Sequence, residues 1–338
     1  MVIFLIGDLI VVVIFVDVVV VIVVFSVMDA NGVSDIVTVI QGAVEEIELP
    51  KSDLDNDETE VVDIIISEWM GYFLLRESML DSIIRARDKF LKKKTGLMFP
   101  SHVTMYIAPV YDEDERRHAY NDYNNAMGDW NEFAETTRIT YGVDMSVLES
   151  DYEREQKEYY LLSSRWTELN PEAVLAEPSA VKYLDMCTCT IEDSRGISLQ
   201  SNQSAFEFDI FHNNESTNNN QLISGLSGWF TADFKSRTDD QGRLYAPKLI
   251  NPAFLDTGPS AGYTHWGQQT FYFISSIPLI QGEITNIKGN IEMTRTKENT
   301  RLYNARITYE FSRRKQSKTK DGQFLMKAKP QEHVYQIP

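Results

Sequence analysis

Cysteine, histidine and early positive charge are scarce in this 338-residue chain, and each shortage closes a class of reading. The two cysteines, Cys187 and Cys189, stand one residue apart on an expected strand. They would share a face and could pair with each other only with difficulty, so no disulfide framework is expected. The five histidines, His102, His118, His212, His265 and His333, form no spaced ligand set. A one-residue cysteine gap is not a zinc spacing either, and no metal is expected. No lysine or arginine precedes Lys51. A secretory leader opens on positive charge and a membrane helix carries basic flanks, so the apolar opening lacks the marks of both. Gly7 is the only glycine in the first 27 residues. No glycine-rich loop, which would let backbone approach a nucleotide closely, stands there.

What is present is acidic and globular. Fifty acidic against 32 basic side chains give a net charge of −18. That balance argues against direct nucleic-acid binding and suits basic partners, although it also fits a plain soluble surface. Hydrophobic residues at 43% and aromatics at 11% suffice for a substantial core. Residues 1–27 are almost entirely Val, Ile and Phe. The stretch Leu9–Val27 is near the length of a membrane span, and the plainer reading of the segment is one or two buried strands.

The most informative stretch is Val61–Leu91. Val61–Ser67 is β-branched and reads as a strand buried on both faces, and from Ser78 onward Met79, Ile83, Ile84, Ala86 and Phe90 recur at helical spacing. Lys92–Gly96 closes that helix with positive charge and a glycine stop. Glu68 and Glu77 lie nine positions apart, which on one continuous helix would place them on opposite faces. They converge only if the chain folds back, and Gly71 permits such a turn. Two convergent carboxylates match the forked donors of a guanidinium. The alternative is a solvated loop residue and a solvated helix-start residue.

The segment Ser67–Leu80, SEWMGYFLLRESML, resembles the double-glutamate loop of the protein arginine methyltransferases, and Gly262–Gln268, GYTHWGQ, resembles their THW loop. Similarity extends to Val37–Pro50, Tyr141–Ser150 and Leu175–Met186, and covers the chain from about Met28 onward. The resemblance implies methyl transfer from S-adenosylmethionine to arginine side chains of arginine-rich proteins such as histone tails. Glu68, Glu77 and His265 would be catalytic, Tyr72, Met79 and Trp266 would bind substrate, and Val44 and Glu45 would contact the cofactor. Met79 matches the position that marks the type I, asymmetrically dimethylating members. Gly267 stands where family members usually carry lysine, from which a more flexible loop is expected. A cytoplasmic or nuclear location without a membrane is implied, as is a homodimer or a heterodimer with a related methyltransferase.

The implied fold class is α/β plus β. Residues 1–99 would form a truncated Rossmann-like cofactor domain, and residues 100–338 a β-barrel with a helical dimerisation arm over about 112–171. Trp130, Phe133, Tyr159, Tyr160, Leu161 and Leu162 are the apolar side chains the arm is expected to present. Two βα units before Val37 need on the order of fifty residues, so the Val-rich segment reads as standing in for the natural first half, as a mistaken gene model would leave it. Two other readings stay open: a catalytically silent partner that dimerises through the arm, and a membrane-tethered form of either. Short alternating runs at 103–110, 181–192, 206–211, 229–234, 270–275, 290–294 and 306–311 read as barrel strands. Asn213–Gln221 reads as a disordered loop, Lys51–Glu60 as an acidic loop and the stretch from Arg313 as a solvated basic turn.

Overall fold

The computed structural model describes residues 2–6, 9–14, 27–33, 36–40, 42–49, 62–200, 203–212, 222–236, 249–315 and 324–338. Two compact units divide the chain: Met1–Thr104, Tyr183–Arg195 and Phe230–Asp256 in the first, Met105–Lys182, Gly196–Trp229 and Thr257–Pro338 in the second. The expected loops at Lys51–Glu60 and Asn213–Gln221 lie outside the described residues.

The Val- and Ile-rich opening forms strands, as β-branched side chains favour. Strands β1 (Val2–Ile6) and β2 (Leu9–Ile14) make an antiparallel hairpin in register Val2↔Val13 to Ile6↔Leu9. Strand β3 (Val37–Val39) pairs with β1, and β4 (Ile64–Ser67) and β5 (Leu97–Phe99) follow in parallel, giving the order β3-β1-β2-β4-β5. Because Leu9–Ile14 is strand, Leu9–Val27 is not one continuous apolar helix, and no helix among the described residues is long and apolar enough to cross a membrane. The helices here are a short α1 over 27–31 and α2 (Leu80–Phe90).

Two details of the expected strand and helix change. Ile65 is buried, but Ile66 on the opposite side is 39% exposed, so β4 is fully covered on one face only. Helix α2 buries Leu80, Ile83, Ile84, Ala86 and Phe90 as its spacing dictates. It ends at Leu91, whose extended backbone bridges to Val62, rather than at Gly96.

Further along lie β6 (His102–Val110), α3 (Glu113–Tyr141), α4 (Glu149–Tyr160), β7 (Arg165–Thr167), β8 (Ser179–Asp185), α5 (Ile191–Ser194) and β9 (Gly196–Ile197). Then come β10 (Ala205–Phe211), β11 (Leu222–Phe234), β12 (Ala253–Asp256) and β13 (Gln268–Pro278). The chain closes with β14 (Glu283–Arg295), β15 (Tyr303–Lys315), β16 (Phe324–Lys327) and β17 (Gln331–Ile337). One sheet runs β7-β13-β11-β6-β8 with β12 on β11, and another runs β10-β14-β15-β16 with β17 on β15 and β9 on β14.

The cysteines are not on a strand: β8 stops at Asp185 and both lie in the turn after it, where the Cys187 amide donates to Asp185 Oδ1 at 2.8 Å. Burial pushes the Cys189 thiol up to about 11. The basic stretch from Arg313 begins inside β15, where Arg314 pairs with Asp209 at 2.6 Å, so it is not a turn there.

The helical arm is a hairpin of α3 and α4. Trp130 stacks on Tyr152 at 4.6 Å between centroids, and α3 ends at Gly142 in the left-handed region. At its root the Tyr272 hydroxyl donates to Asp112 Oδ2 at 2.5 Å, Arg116 forks onto Glu113, and Arg116 and Tyr120 both donate to the Ile274 carbonyl. Burial raises the Asp112 carboxyl above its ordinary range against that donated bond. Phe133 and Tyr159 are exposed as expected of a presented surface, and Ile139, Tyr141, Val147 and Leu148 join them. Leu161 is not presented: it is buried just beyond α4, and Trp130 is engaged within the hairpin.

Candidate active site

Beyond Ser67 the chain folds back on itself. The Gly71 amide donates to the Leu74 carbonyl at 2.9 Å, and a Cβ on Gly71 would lie 1.9 Å from the Arg76 carbonyl oxygen, so only glycine fits. Four non-glycine residues, Phe73, Leu74, Glu77 and Ser78, take positive φ of 45°, 65°, 83° and 59°. Each costs about 1–2 kcal/mol. Trp69, Phe73, Leu74 and Leu75 are fully buried beneath the loop, and burial at about 1.5–3 kcal/mol per large side chain outweighs that strain. Clustered left-handed residues held down by packing are characteristic of functional loops.

This loop carries four of the candidate residues. Glu68 is exposed and its Oε1 accepts from the Met70 amide at 3.0 Å. Glu77, with a side chain 34% exposed, pairs with Arg76 at 3.3 Å, and the Arg76 guanidinium sits 5.3 Å over the Tyr72 ring. Met79 is half-buried at the start of α2. Arg76 was not among the candidates, although its place beside Glu77 was a visible signal.

The cofactor candidates lie against the same helix. Val44 is buried, Glu45 is exposed, and the Glu45 carboxylate accepts from the Ser82 hydroxyl at 2.8 Å. Lys89 Nζ donates to the Glu45 and Ile47 carbonyls at 3.2 and 2.7 Å. At the end of β4 the Ser67 hydroxyl and the Trp69 indole nitrogen are buried without a hydrogen-bond partner. On the far side of α2, Arg87 donates to the carbonyls of Met186 and Cys189, and Ser194 donates to Asp81. Arg87 follows Ile83 by four and Ile84 by three positions, so an arginine on the apolar stripe was the signal that marked it.

His265 and Trp266 belong to the second unit, in a turn before β13. Their rings lie 3.8 Å apart between centroids, His265 exposed and Trp266 half-buried. The turn is not loosened by Gly267. Its amide donates to the Thr264 carbonyl at 3.1 Å, its φ is +53°, and a Cβ there would meet the Trp166 indole at 2.5 Å. Glycine is the residue that lets this turn close on Trp166.

Residues 101–315 match the family model of the arginine methyltransferase oligomerization subdomain. The chain is 39% identical over 288 residues to protein arginine N-methyltransferase PRMT10 of Arabidopsis thaliana, covering 84% of this chain and 67% of that relative. Identity to PRMT10 of Oryza sativa subsp. japonica is 39% over 286 residues, covering 83% of this chain and 66% of that one. Probable protein arginine N-methyltransferase 6 of Arabidopsis thaliana is 32% identical over 297 residues, covering 84% and 61%. The chain spans about two thirds of the length of the curated relatives it matches. Among solved structures, Arabidopsis thaliana protein arginine methyltransferase 10 aligns with a TM-score of 0.73 at 33% identity, over 93% of this chain and 78% of that chain. The Trypanosoma brucei PRMT1 enzyme–prozyme complex, at 22% identity and a TM-score of 0.56 over 93% and 77%, shares the fold. The fold class is accordingly a Rossmann-like α/β half followed by a β-barrel half.

Proposed function

Because this chain belongs to the protein arginine methyltransferase family, we propose that it takes part in S-adenosylmethionine-dependent methylation of arginine side chains in proteins. The observation that carries the reading is the guanidinium already lodged in the loop: Arg76 lies over Tyr72 and on Glu77, the residues assigned to a substrate's guanidinium. An incoming arginine would be held in the same way, its nitrogens paired with Glu68 and Glu77 and its plane flanked by Tyr72. Carboxylates on one side of a guanidinium draw its charge toward them, leaving electron density on the nitrogen that reacts. The roles of His265, as proton acceptor, and Trp266, as flanking ring, rest on the resemblance of Gly262–Gln268 alone.

The residues present fit one end of the cofactor. Buried Val44 and the exposed Glu45 carboxylate would hold the adenine, and S-adenosylmethionine when bound supplies an electrophilic sulfonium methyl. The amino-acid end does not find its glycine-rich loop and helix start among the described residues, where β1 and β2 form a hairpin instead. That hairpin favours a second reading, a silent partner that assembles through the arm with an active relative.

Residues 1–99 are taken as the cofactor half and 100–338 as the substrate half, with the arm over 112–171 mediating a homodimer or heterodimer. The resemblance at Met79 is the support for an asymmetric product, and histone tails or other arginine-rich segments in the nucleus or cytoplasm suit the net charge of −18. The test is transfer of radiolabelled methyl from S-adenosylmethionine to an arginine-rich peptide, beside calorimetry of the cofactor. Transfer that is lost in Glu77→Gln without unfolding supports the enzyme. Absence of both heat and transfer leaves the silent partner.

A further inference from the structure

We propose that the second unit carries a preformed subsite for a basic side chain of the substrate polypeptide, in the cavity of about 420 Å³ alongside the turn that bears His265 and Trp266. The inference rests on the reading that arginine-rich segments are the substrates, and it names what recognises the residues flanking the target.

One wall is the chain leaving β7. Trp166, Glu168 and Asn170 are exposed while Thr167 and Leu169 are buried, and the two-residue period places the three outward side chains on one face. The opposite wall is the stretch 259–263, which ends in Tyr263, 70% exposed. Gln268 forms the floor, and both polar atoms of its amide are engaged: Oε1 accepts from the Leu169 amide and Nε2 donates to the Thr257 carbonyl, each at 2.8 Å. Asn170 caps the short helical turn 171–173 by accepting from the Glu172 amide. Pro171 and Pro259 fix φ on the two walls. A cavity whose polar floor is anchored by internal hydrogen bonds and whose walls are stiff exists before its ligand arrives, which lowers the ordering cost of binding.

The chemistry of the lining selects the occupant. Among the described residues that line it, Glu168 is the one carboxylate and there is no lysine, arginine or histidine. Glu168 makes no hydrogen bond or ion pair among the described residues, so its charge is available to a ligand. An anion would be repelled there, and an apolar group would cover an unpaired charge at a cost. A lysine ammonium or arginine guanidinium instead gains both the carboxylate and the Tyr263 face. Gly262 and Tyr263 precede His265 and Gln268 follows Trp266, so the cavity is lined from both sides of that turn. By the resemblance that assigns His265 and Trp266 to the substrate, a basic residue bound there would flank the target in the same peptide.

The test is fluorescence anisotropy of a labelled peptide on the full chain, which reads binding without turnover. One peptide carries a single target arginine with lysine and arginine flanks; the other has the flanks replaced by alanine. Glu168→Gln and Tyr263→Ala should each weaken the basic-flanked peptide by about 3–10-fold and leave the alanine-flanked one unchanged. Should either variant melt early, Glu168→Lys against a glutamate-flanked peptide decides the matter, since reversal of charge should restore binding there. Equal losses on both peptides, or no loss on either, overturn the subsite. If the peptide discrimination holds but no methyl is transferred, the subsite stands and the catalytic reading falls; if methyl is transferred without discrimination, the reverse applies.

Discussion

Replacing Gly267 with lysine, the residue usual at that place in the family, should destabilise the second unit rather than repair it. Two costs act together. A lysine held at φ +53° loses about 1–2 kcal/mol for the left-handed backbone. Its Cβ would lie 2.5 Å from the Trp166 indole nitrogen and 2.8 Å from the Thr167 carbonyl oxygen, and overpacking of that kind costs about 1–3 kcal/mol. The expected loss is therefore about 2–5 kcal/mol, or a melting shift on the order of 4–20 °C for a unit of this size. Calorimetry of the single variant and of Trp166→Ala/Gly267→Lys measures it. Removal of the indole should recover the side-chain overlap, about half of the loss, but neither the φ strain nor the clash with the backbone oxygen. A single variant within about 0.5 kcal/mol of the parent would show that the turn relaxes freely and that Trp166 does not constrain it.

Three more outcomes follow from individual side chains. Arg76→Gln removes the guanidinium that pairs with Glu77, so KM for an arginine-rich peptide should fall by about 2–5-fold, the scale of an exposed ion pair; an unchanged or raised KM would mean Arg76 does not compete with substrate. His102 is held below its ordinary value of 6.5 by burial and then by Lys235, against Asp185 and Asp233. The unfolded chain therefore takes up its proton first, and stability is present above about pH 6.5 and declines as pH falls below it. Urea midpoints at pH 7.5 and 5.5 should diverge less in His102→Gln than in the parent, and an equal divergence would exclude this histidine. With its thiol pushed up to about 11 and buried, Cys189 should react with a thiol reagent at pH 8 far more slowly than half-buried Cys187, which mass spectrometry of the labelled chain would resolve.

Legibility in the sequence depended on whether a side chain's role was carried by its own periodicity. Strand β10 was plain because Phe206, Phe208 and Ile210 alternate inward. The first half of β11 was not, because Ser224, Gly225, Ser227 and Gly228 show no apolar pattern. Those residues are there for close backbone approach: a Cβ on Gly225 would lie 2.2 Å from the Phe271 carbonyl oxygen. The Ser227, Thr270 and Thr167 hydroxyls then link three strands at 2.9 and 2.8 Å. Cys187 and Cys189 sat at the end of an unbroken strand-like run, and the stop after Asp185 comes from its carboxylate turning back onto the Cys187 amide. In the glutamate loop the fold-back at Gly71 could be anticipated. The four left-handed residues could not, since nothing in Phe, Leu, Glu or Ser favours that backbone and only burial of the neighbouring side chains enforces it.

The 29 residues of α3 extend about 43 Å, yet Glu113 and Ala119, both near the first turns, are its only buried residues. The helix is thus a cantilever, gripped where Asp112, Arg116 and Tyr120 meet Tyr272 and the Ile274 carbonyl. Leverage magnifies whatever happens at that grip: a tilt of about 10° would sweep the far end through roughly 7 Å over that length. The hydrogen bonds at the root, with buried Leu161 at the return end of the hairpin, therefore set the reach of the apolar side chains at the tip.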